Sequence, residues 1–227
     1  MMKEFDNIKT SQLSCLLNET TTLKRFYPLI PVRGKLIEGL LKLGIEDKYT
    51  FFDMLDPAGT DCRKIRRQLE ERLDLEEEGL ALLEQFLHLH DFTNRKLSEI
   101  RSVSAEFMGK LFSDGIKMSK DYLLLCMRHP AGEISHKYGV DEEEAVRLFC
   151  ICDLMRLPSV KELRASLYFD CGYCSLQEIS AQSQEAMRAR CAEYIADNHI
   201  EKSVPFAKEL ETQIAAAKVL PHLSFGK

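Results

Sequence analysis

Apolar residues recur along most of the chain at three- and four-residue intervals, the spacing that lines one face of an α-helix. Leu13, Leu16 and Leu17 predict a short first helix with Ser11 as its cap, and Tyr27-Pro28-Leu29-Ile30-Pro31 then breaks the chain. Leu36, Leu40, Leu41 and Leu43 predict a helix from Lys35 that Gly44 stops. Tyr49–Leu55 reads as another, ended by Asp56-Pro57-Ala58-Gly59. Ile65, Leu69 and Leu73 predict a longer helical stretch. Beyond the acidic turn Glu76-Glu77-Glu78, Leu80, Leu83, Phe86 and Leu87 continue the pattern, with three Glu suited to the positive end of a helix dipole.

The same grammar then returns. Phe107, Leu111 and Phe112 form a helix halted at Asp114-Gly115-Ile116, and Tyr122–Cys126 forms a short one ended by His129-Pro130-Ala131-Gly132. Ile134, Tyr138 and Val140 precede the acidic run Asp141–Glu144, as Leu69, Leu73 and Leu75 precede the first; an apolar helix to Leu157 follows. A third copy has Leu163 and Leu167 on a helix, then Cys171-Gly172-Tyr173, then Leu176–Ile179. Helices through Met187–Ala196 and Ala207–Val219 complete the chain. The repeated unit is helix, Gly-centred tight turn, helix, three times over, the first two units each followed by a connecting helix pair. Gly44, Gly115 and Gly172 are predicted to be equivalent turns with positive φ.

Composition narrows this to an all-α protein. The 227 residues are 45% hydrophobic and 30% charged, an ordinary globular balance. Few Gly and Pro (11 and 7) and little strand-like alternation exclude an all-β architecture. The longest apolar run, Tyr122–Met127, is far too short to span a bilayer, so no membrane partner is expected. The acidic start Met1–Asp6 lacks a signal core, and the expectation is a cytoplasmic protein. A net charge of −5 excludes attraction of the whole molecule to polyanions, so a nucleic-acid role needs a local basic face. The eight cysteines, Cys15, Cys62, Cys126, Cys150, Cys152, Cys171, Cys174 and Cys191, read as reduced core thiols, without disulfide or zinc.

Several segments lie in a register with a family behind it. Ile100-Arg-Ser-Val-Ser-Ala-Glu-Phe107, Leu111-Phe-Ser-Asp-Gly-Ile-Lys117 and Glu133-Ile-Ser-His-Lys-Tyr-Gly-Val140 come first. Asp153-Leu-Met-Arg-Leu157, Val204-Pro-Phe206 and Ala215-Ala-Ala-Lys-Val-Leu-Pro221 follow in order. On these, residues 100–221 resemble the bacterial family called domain of unknown function 4332, built from tandem helix-hairpin-helix units, and 27–92 resemble a diverged further copy. The implied division is an N-terminal helical segment 1–26, a first hairpin unit with connecting helices 27–97, the family-like domain 98–221 and a tail 222–227. The resemblance implies weak, sequence-independent contact with duplex nucleic acid. Helix-hairpin-helix turns of Gly-apolar-Gly type offer bare backbone N–H groups at a helix N-terminus to a phosphate. Carried over, the hairpins are Val32-Arg33-Gly34, Ser102-Val103-Ser104 and Ser159-Val160-Lys161, with Lys35 and Arg164 as supporting cations. None is Gly-apolar-Gly. Serine narrows the approach, and its Cβ is expected to cost the left-handed conformations.

Other chemistry is sparse. Arg63-Lys64-Arg66-Arg67 is followed at once by Glu70-Glu71 and reads as a solvated, salt-paired face. Cys171-Gly-Tyr-Cys174 has zinc-knuckle or thiol-oxidoreductase spacing, but a structural zinc needs two further ligands, from Cys150 and Cys152 or His88 and His90. No Gly-rich phosphate loop, nucleophile elbow or His-Glu-x-x-His motif appears, so no enzyme, cofactor or metal is expected. Three readings stand: a hairpin module touching nucleic acid, a protein-interaction scaffold that lost phosphate binding, and a zinc or thiol module using Cys171 and Cys174.

Overall fold

The structure, a computed structural model, describes residues 3–55, 62–75, 78–201 and 203–226, the side chains of 62–65 excepted. Among them it is all-helical: there is no β-strand, only two isolated antiparallel bridges. In chain order the helices are α1 (Lys3–Asp6), α2 (Leu13–Leu16), α3 (Leu29–Lys42), α4 (Lys48–Leu55), α5 (Cys62–Leu73), α6 (Gly79–His88) and α7 (Ala105–Ser113). Then come α8 (Ser119–Arg128), α9 (Ala131–Tyr138), α10 (Glu142–Leu154), α11 (Glu162–Asp170), α12 (Leu176–Ser180), α13 (Gln184–Asp197) and α14 (Ala207–Val219). Short 3-10 turns lie at Thr10–Gln12, Lys24–Phe26 and Leu97–Glu99.

The chain forms two compact units, Met1–Asp91 with Lys208–Pro221, and Phe92–Ala207 with His222–Lys227. This differs from the expected division in two ways. Residues 1–26 belong to the first unit rather than to a separate segment, and so does nearly all of α14, which sequence reasoning put in the second. In α14, Leu210, Ile214 and Ala215–Ala217 are buried, and Lys208 and Thr212 bond the carbonyls of Thr22 and Thr21.

The three glycine turns share one hydrogen-bond pattern. Gly44, Gly115 and Gly172 have φ of 74°, 80° and 94°. The N–H after each glycine reaches back to the buried helical carbonyl of Leu40, Leu111 or Tyr168, at 2.9 Å in all three cases. That is the Schellman closure, which satisfies orphan carbonyls and needs a left-handed residue. In both units the residue pair after the turn joins an earlier extended segment. Lys9 bridges Asp47, and Lys96 bridges Met118, with matching bonds Lys48 N to Ile8 O and Ser119 N to Arg95 O. The stretch around Lys9, which matches nothing by sequence, thus takes the same part in the first unit as that around Lys96 in the second.

Other boundaries moved for local reasons. Ser11 lies inside a 3-10 turn, and Lys9 sits at its cap position without a side-chain bond. α3 begins at Leu29 instead of Lys35, because Pro31 falls in its first turn, where a missing N–H costs nothing. Pro130-Ala131-Gly132 opens α9 with Pro130 as its cap; the earlier Pro57-Ala58-Gly59, and Glu76 and Glu77, lie outside the described residues. Cys15 is exposed and Cys174 half-buried, unlike the buried Cys126, Cys150, Cys152, Cys171 and Cys191; the Cys62 side chain lies outside the described residues.

α10 organises the second unit. It packs against α8, α9 and α11, and every residue from Leu148 to Leu154 is buried, as expected of a helix with neighbours all round. The first unit encloses a charge cluster instead. Lys48, 1% exposed at its side chain, is held by Asp6 and Asp91, each at 2.9 Å, and the Tyr49 hydroxyl donates to Asp6 at 2.5 Å. His90 lies beside them with Nδ1 unpartnered and the Phe86 ring edge-on at 5.4 Å.

Gly115 and Gly109 separate conformation from space, since a Cβ at either meets nothing within 4 Å. Gly115→Ala should cost about 1 kcal/mol at its positive φ, and Gly109→Ala, inside α7, should add about 0.5–1 kcal/mol; urea unfolding reads both. Burial, aided by the Lys48 ammonium, depresses the His90 imidazole to about 4. The unfolded state therefore binds the extra proton first. Stability is full above about 6.5, falls as pH drops towards 4, and loses about 3 kcal/mol in all. His90→Leu should flatten that slope in a pH series of unfolding curves.

Candidate nucleic-acid interface

The second unit brings two of the three expected hairpins together. Ile100–Ser104 leads into α7 and Leu157–Lys161 into α11. Ile100, Leu157 and Val160 are buried anchors, whereas Val103 is half-buried. Ser102 Oγ lies 3.4 Å from Ser166 Oγ on α11, and the Arg101 N–H points at the Glu162 carboxylate at 3.5 Å. The two turns therefore lie side by side. Val32, Arg33 and Gly34 form no hairpin: they sit inside α3, beyond the first turn, so their N–H groups belong to the intrahelical ladder. Lys35 beside them is exposed, 4.0 Å from Asp74.

The two turns end differently. Ser104 caps α7, its hydroxyl accepting from the Phe107 N–H at 3.2 Å. Its own N–H donates to the carboxylate of Glu144, in the first turn of α10. That N–H is thus occupied by the chain's own anion. In the other turn Ser159 has φ of 62°, and the Val160 N–H closes on the Leu157 carbonyl at 3.1 Å. The expectation that serine forfeits the left-handed conformation thus fails at Ser159. With Pro158 before it, the backbone has the third-position geometry of a type II turn, where glycine is the unstrained residue. Lys161 stands at the α11 cap without a side-chain bond and, among the described residues, without an ion pair. Arg164 reaches the Ser203 carbonyl at 3.2 Å.

The electrostatic surroundings are mixed. Asp141, Glu142, Glu143 and Glu144 line one concavity of about 590 Å³ with Arg147 and Phe169. Arg147 is held at 2.6 Å by Asp170. A second cavity, of about 560 Å³, is lined by Lys96, Lys117, Phe112 and Met118 near the Gly115 turn; neither lysine stood out by sequence, since they are 21 positions apart in the chain. Arg66 is bidentate to Glu84 at 2.7 and 3.0 Å, and Arg67 pairs with Glu71, so the basic stretch of α5 is salt-paired where its side chains are described. Cys171 and Cys174 differ in surroundings: the Cys171 sulfur lies 3.9 Å from that of the buried Cys191, whereas Cys174 is half-buried. Among the described residues no three His, Cys, Asp or Glu side chains converge, and no helix is long and apolar enough to cross a membrane.

The sequence profile of the family described as domain of unknown function (DUF4332) matches residues 101–220, more than half of the chain. The chain belongs to this family. No curated protein and no solved structure matches it. The DUF4332 match holds both of these turns of the second unit and runs on through α14 of the first. It also holds a fully buried ion pair, Asp153 with Arg156, in the segment Asp153–Leu157. Burial raises the Asp153 carboxyl above its usual range against the pull of Arg156. A second Asp153 oxygen accepts the Leu176 N–H at 3.4 Å, which ties the start of α12 to the end of α10. In this DUF4332 chain the motif has a structural part: Asp153 joins the Arg156 guanidinium to the backbone at the start of α12.

The hairpins make opposite predictions under substitution. Ser159→Gly should relieve the left-handed strain and add about 1 kcal/mol of stability. Ser104→Ala should remove a cap and cost about 1 kcal/mol. Chemical denaturation of the two variants beside the parent checks both.

Proposed function

We propose that the chain is a non-enzymatic module of helix-hairpin-helix units that acts as a protein-interaction scaffold, its middle hairpin shut to phosphate by its own carboxylates. The observation that carries this is the Ser104 N–H on Glu144, seconded by the Arg101 N–H on Glu162. A phosphate arriving there must displace a charge-assisted hydrogen bond worth about 1.5–3 kcal/mol and then lie beside the displaced carboxylate. The apolar surface nearby also favours a protein. Leu163, in the first turn of α11, is 60% exposed, and Phe206, three residues beyond the Ser203 that Arg164 grips, is 73% exposed.

A second reading, weak and sequence-independent binding of duplex nucleic acid, is favoured by one specific feature. The third hairpin keeps a left-handed turn at Ser159 and an uncapped α11, with Lys161 and Arg164 at hand. Such contacts fix position on the backbone and carry no base information.

Fluorescence anisotropy with a mixed-sequence DNA duplex separates the two. The scaffold reading expects no saturable change for the parent chain at about 20 mM salt and 100 μM protein, a regime in which even weak phosphate contacts show. It also expects a gain for the double variant Glu144→Ala, Glu162→Ala, with helicity checked by circular dichroism. Binding by the parent with a log–log salt slope near about −2, lost in Lys161→Ala, Arg164→Ala, would establish the second reading instead.

A further inference from the structure

The sequence draws the eye to Cys171-x-x-Cys174 as a pair, and the structure separates it. Cys171 caps the end of α11 and begins the turn after it, and its sulfur is 3.9 Å from that of Cys191 on α13, twenty residues on. Both are buried, Cys191 completely and Cys171 at 4% exposure, while the next residue, Gly172, is exposed. Arg190 precedes Cys191, and its guanidinium points at the Cys171 carbonyl at 3.4 Å while pairing with Glu193 at 2.9 Å. A thiol pair in van der Waals contact, one member at a surface turn and a cation beside it, is the arrangement in which oxidation of the first sulfur is captured by the second.

We propose that Cys171 and Cys191 are a modification site for small hydroperoxides, at which the two thiols oxidise to a disulfide that fastens the third glycine turn to α13. Cys171 is the attacking sulfur. Its thiolate takes the terminal oxygen of the hydroperoxide, the O–O bond breaks, and the other oxygen leaves as water or an alcohol after protonation. The Cys191 sulfur then attacks the Cys171 sulfenic acid. The S–S bond forms, the S–O bond breaks, and the hydroxide takes up the Cys191 proton to leave as water. Two thiols lose two electrons and one hydroperoxide gains them.

The electrostatics agree on which sulfur begins. The Cys191 hydrogen bond and the Arg190 charge lower the Cys171 thiol below its ordinary value, against burial and Asp170. Burial raises the thiols of Cys126, Cys150, Cys152 and Cys174 instead. Cys174, though more exposed, is therefore the poorer thiolate.

The experiment treats the full-length reduced protein with hydrogen peroxide, blocks remaining thiols with N-ethylmaleimide in denaturant, and maps peptides after trypsin and chymotrypsin. Cleavage after Tyr173 parts Cys171 from Cys174, and cleavage after Arg190 frees the Cys191 peptide. The expected result is a Cys171–Cys191 cross-link that dithiothreitol reverses, together with a rise in the thermal midpoint of the oxidised form. Cys174→Ser should leave the cross-link intact, and Cys191→Ala should abolish it and let dimedone trap the Cys171 sulfenic acid. Should Cys191→Ala not fold, the cross-link in the parent chain decides alone. A Cys171–Cys174 link, oxidation confined to Cys174, or both thiols alkylated in full after peroxide has oxidised exposed Cys15 would overturn the proposal.

Discussion

Short helices carry a heavy burden of unpaired backbone groups: each leaves up to four N–H and four C=O groups without an internal partner, whatever its length. Here the longest helices have 14 residues and several have only four or five. The architecture is therefore governed less by the helices than by how their ends are closed. Left-handed residues do this repeatedly: glycine at positions 44, 115, 139 and 172, and the non-glycine residues Asp74 and His199. The same requirement places Glu144 on the N–H of Ser104 and Asp153 on that of Leu176. In both places a carboxylate from another helix settles the helix end.

That logic was legible in the sequence where it was local. Gly44, Gly115 and Gly172 announced their turns because only glycine adopts positive φ without strain, and Ala207–Val219 emerged with the bounds its apolar spacing indicated. Elsewhere local signals misled. Pro31 looked like a breaker but falls in the first turn of α3, which removes the first expected hairpin altogether. Ser159 carried no mark of a left-handed residue beyond the proline before it. The decisive contacts were out of reach for a different reason: Glu144 and Glu162 meet the hairpin from 40 and 61 positions away. Cys171 likewise finds Cys191 rather than its neighbour in the motif. Spacing along a chain encodes what shares a helix face, not what two helices bring to one another.

Each unit also encloses charge, with different completeness. Asp153 and Arg156 are both out of water and bonded, at the end of the helix that the second unit is built round. Lys48 in the first unit has Asp6 on one side and a half-exposed Asp91 on the other, with neutral His90 alongside. Buried pairs of this kind add little net stability over apolar replacements, yet breaking one partner is expensive. They act as registry pins: α10 to the start of α12 in one unit, and α1 to α4 in the other.

The place of α14 bears on how the molecule comes into being. The first unit takes its last helix from Lys208–Pro221, after the whole of Phe92–Ala207 has been laid down. A ribosome adds about 5–20 residues per second, so the earlier segment waits on the order of ten seconds for the helix that covers it. Meanwhile the second unit, nearly continuous in sequence, has emerged and can close. The part made first thus waits for a helix that is made after most of the other unit. Until then the carbonyls of Thr21 and Thr22 wait for the side chains of Lys208 and Thr212 that bond them in the finished fold.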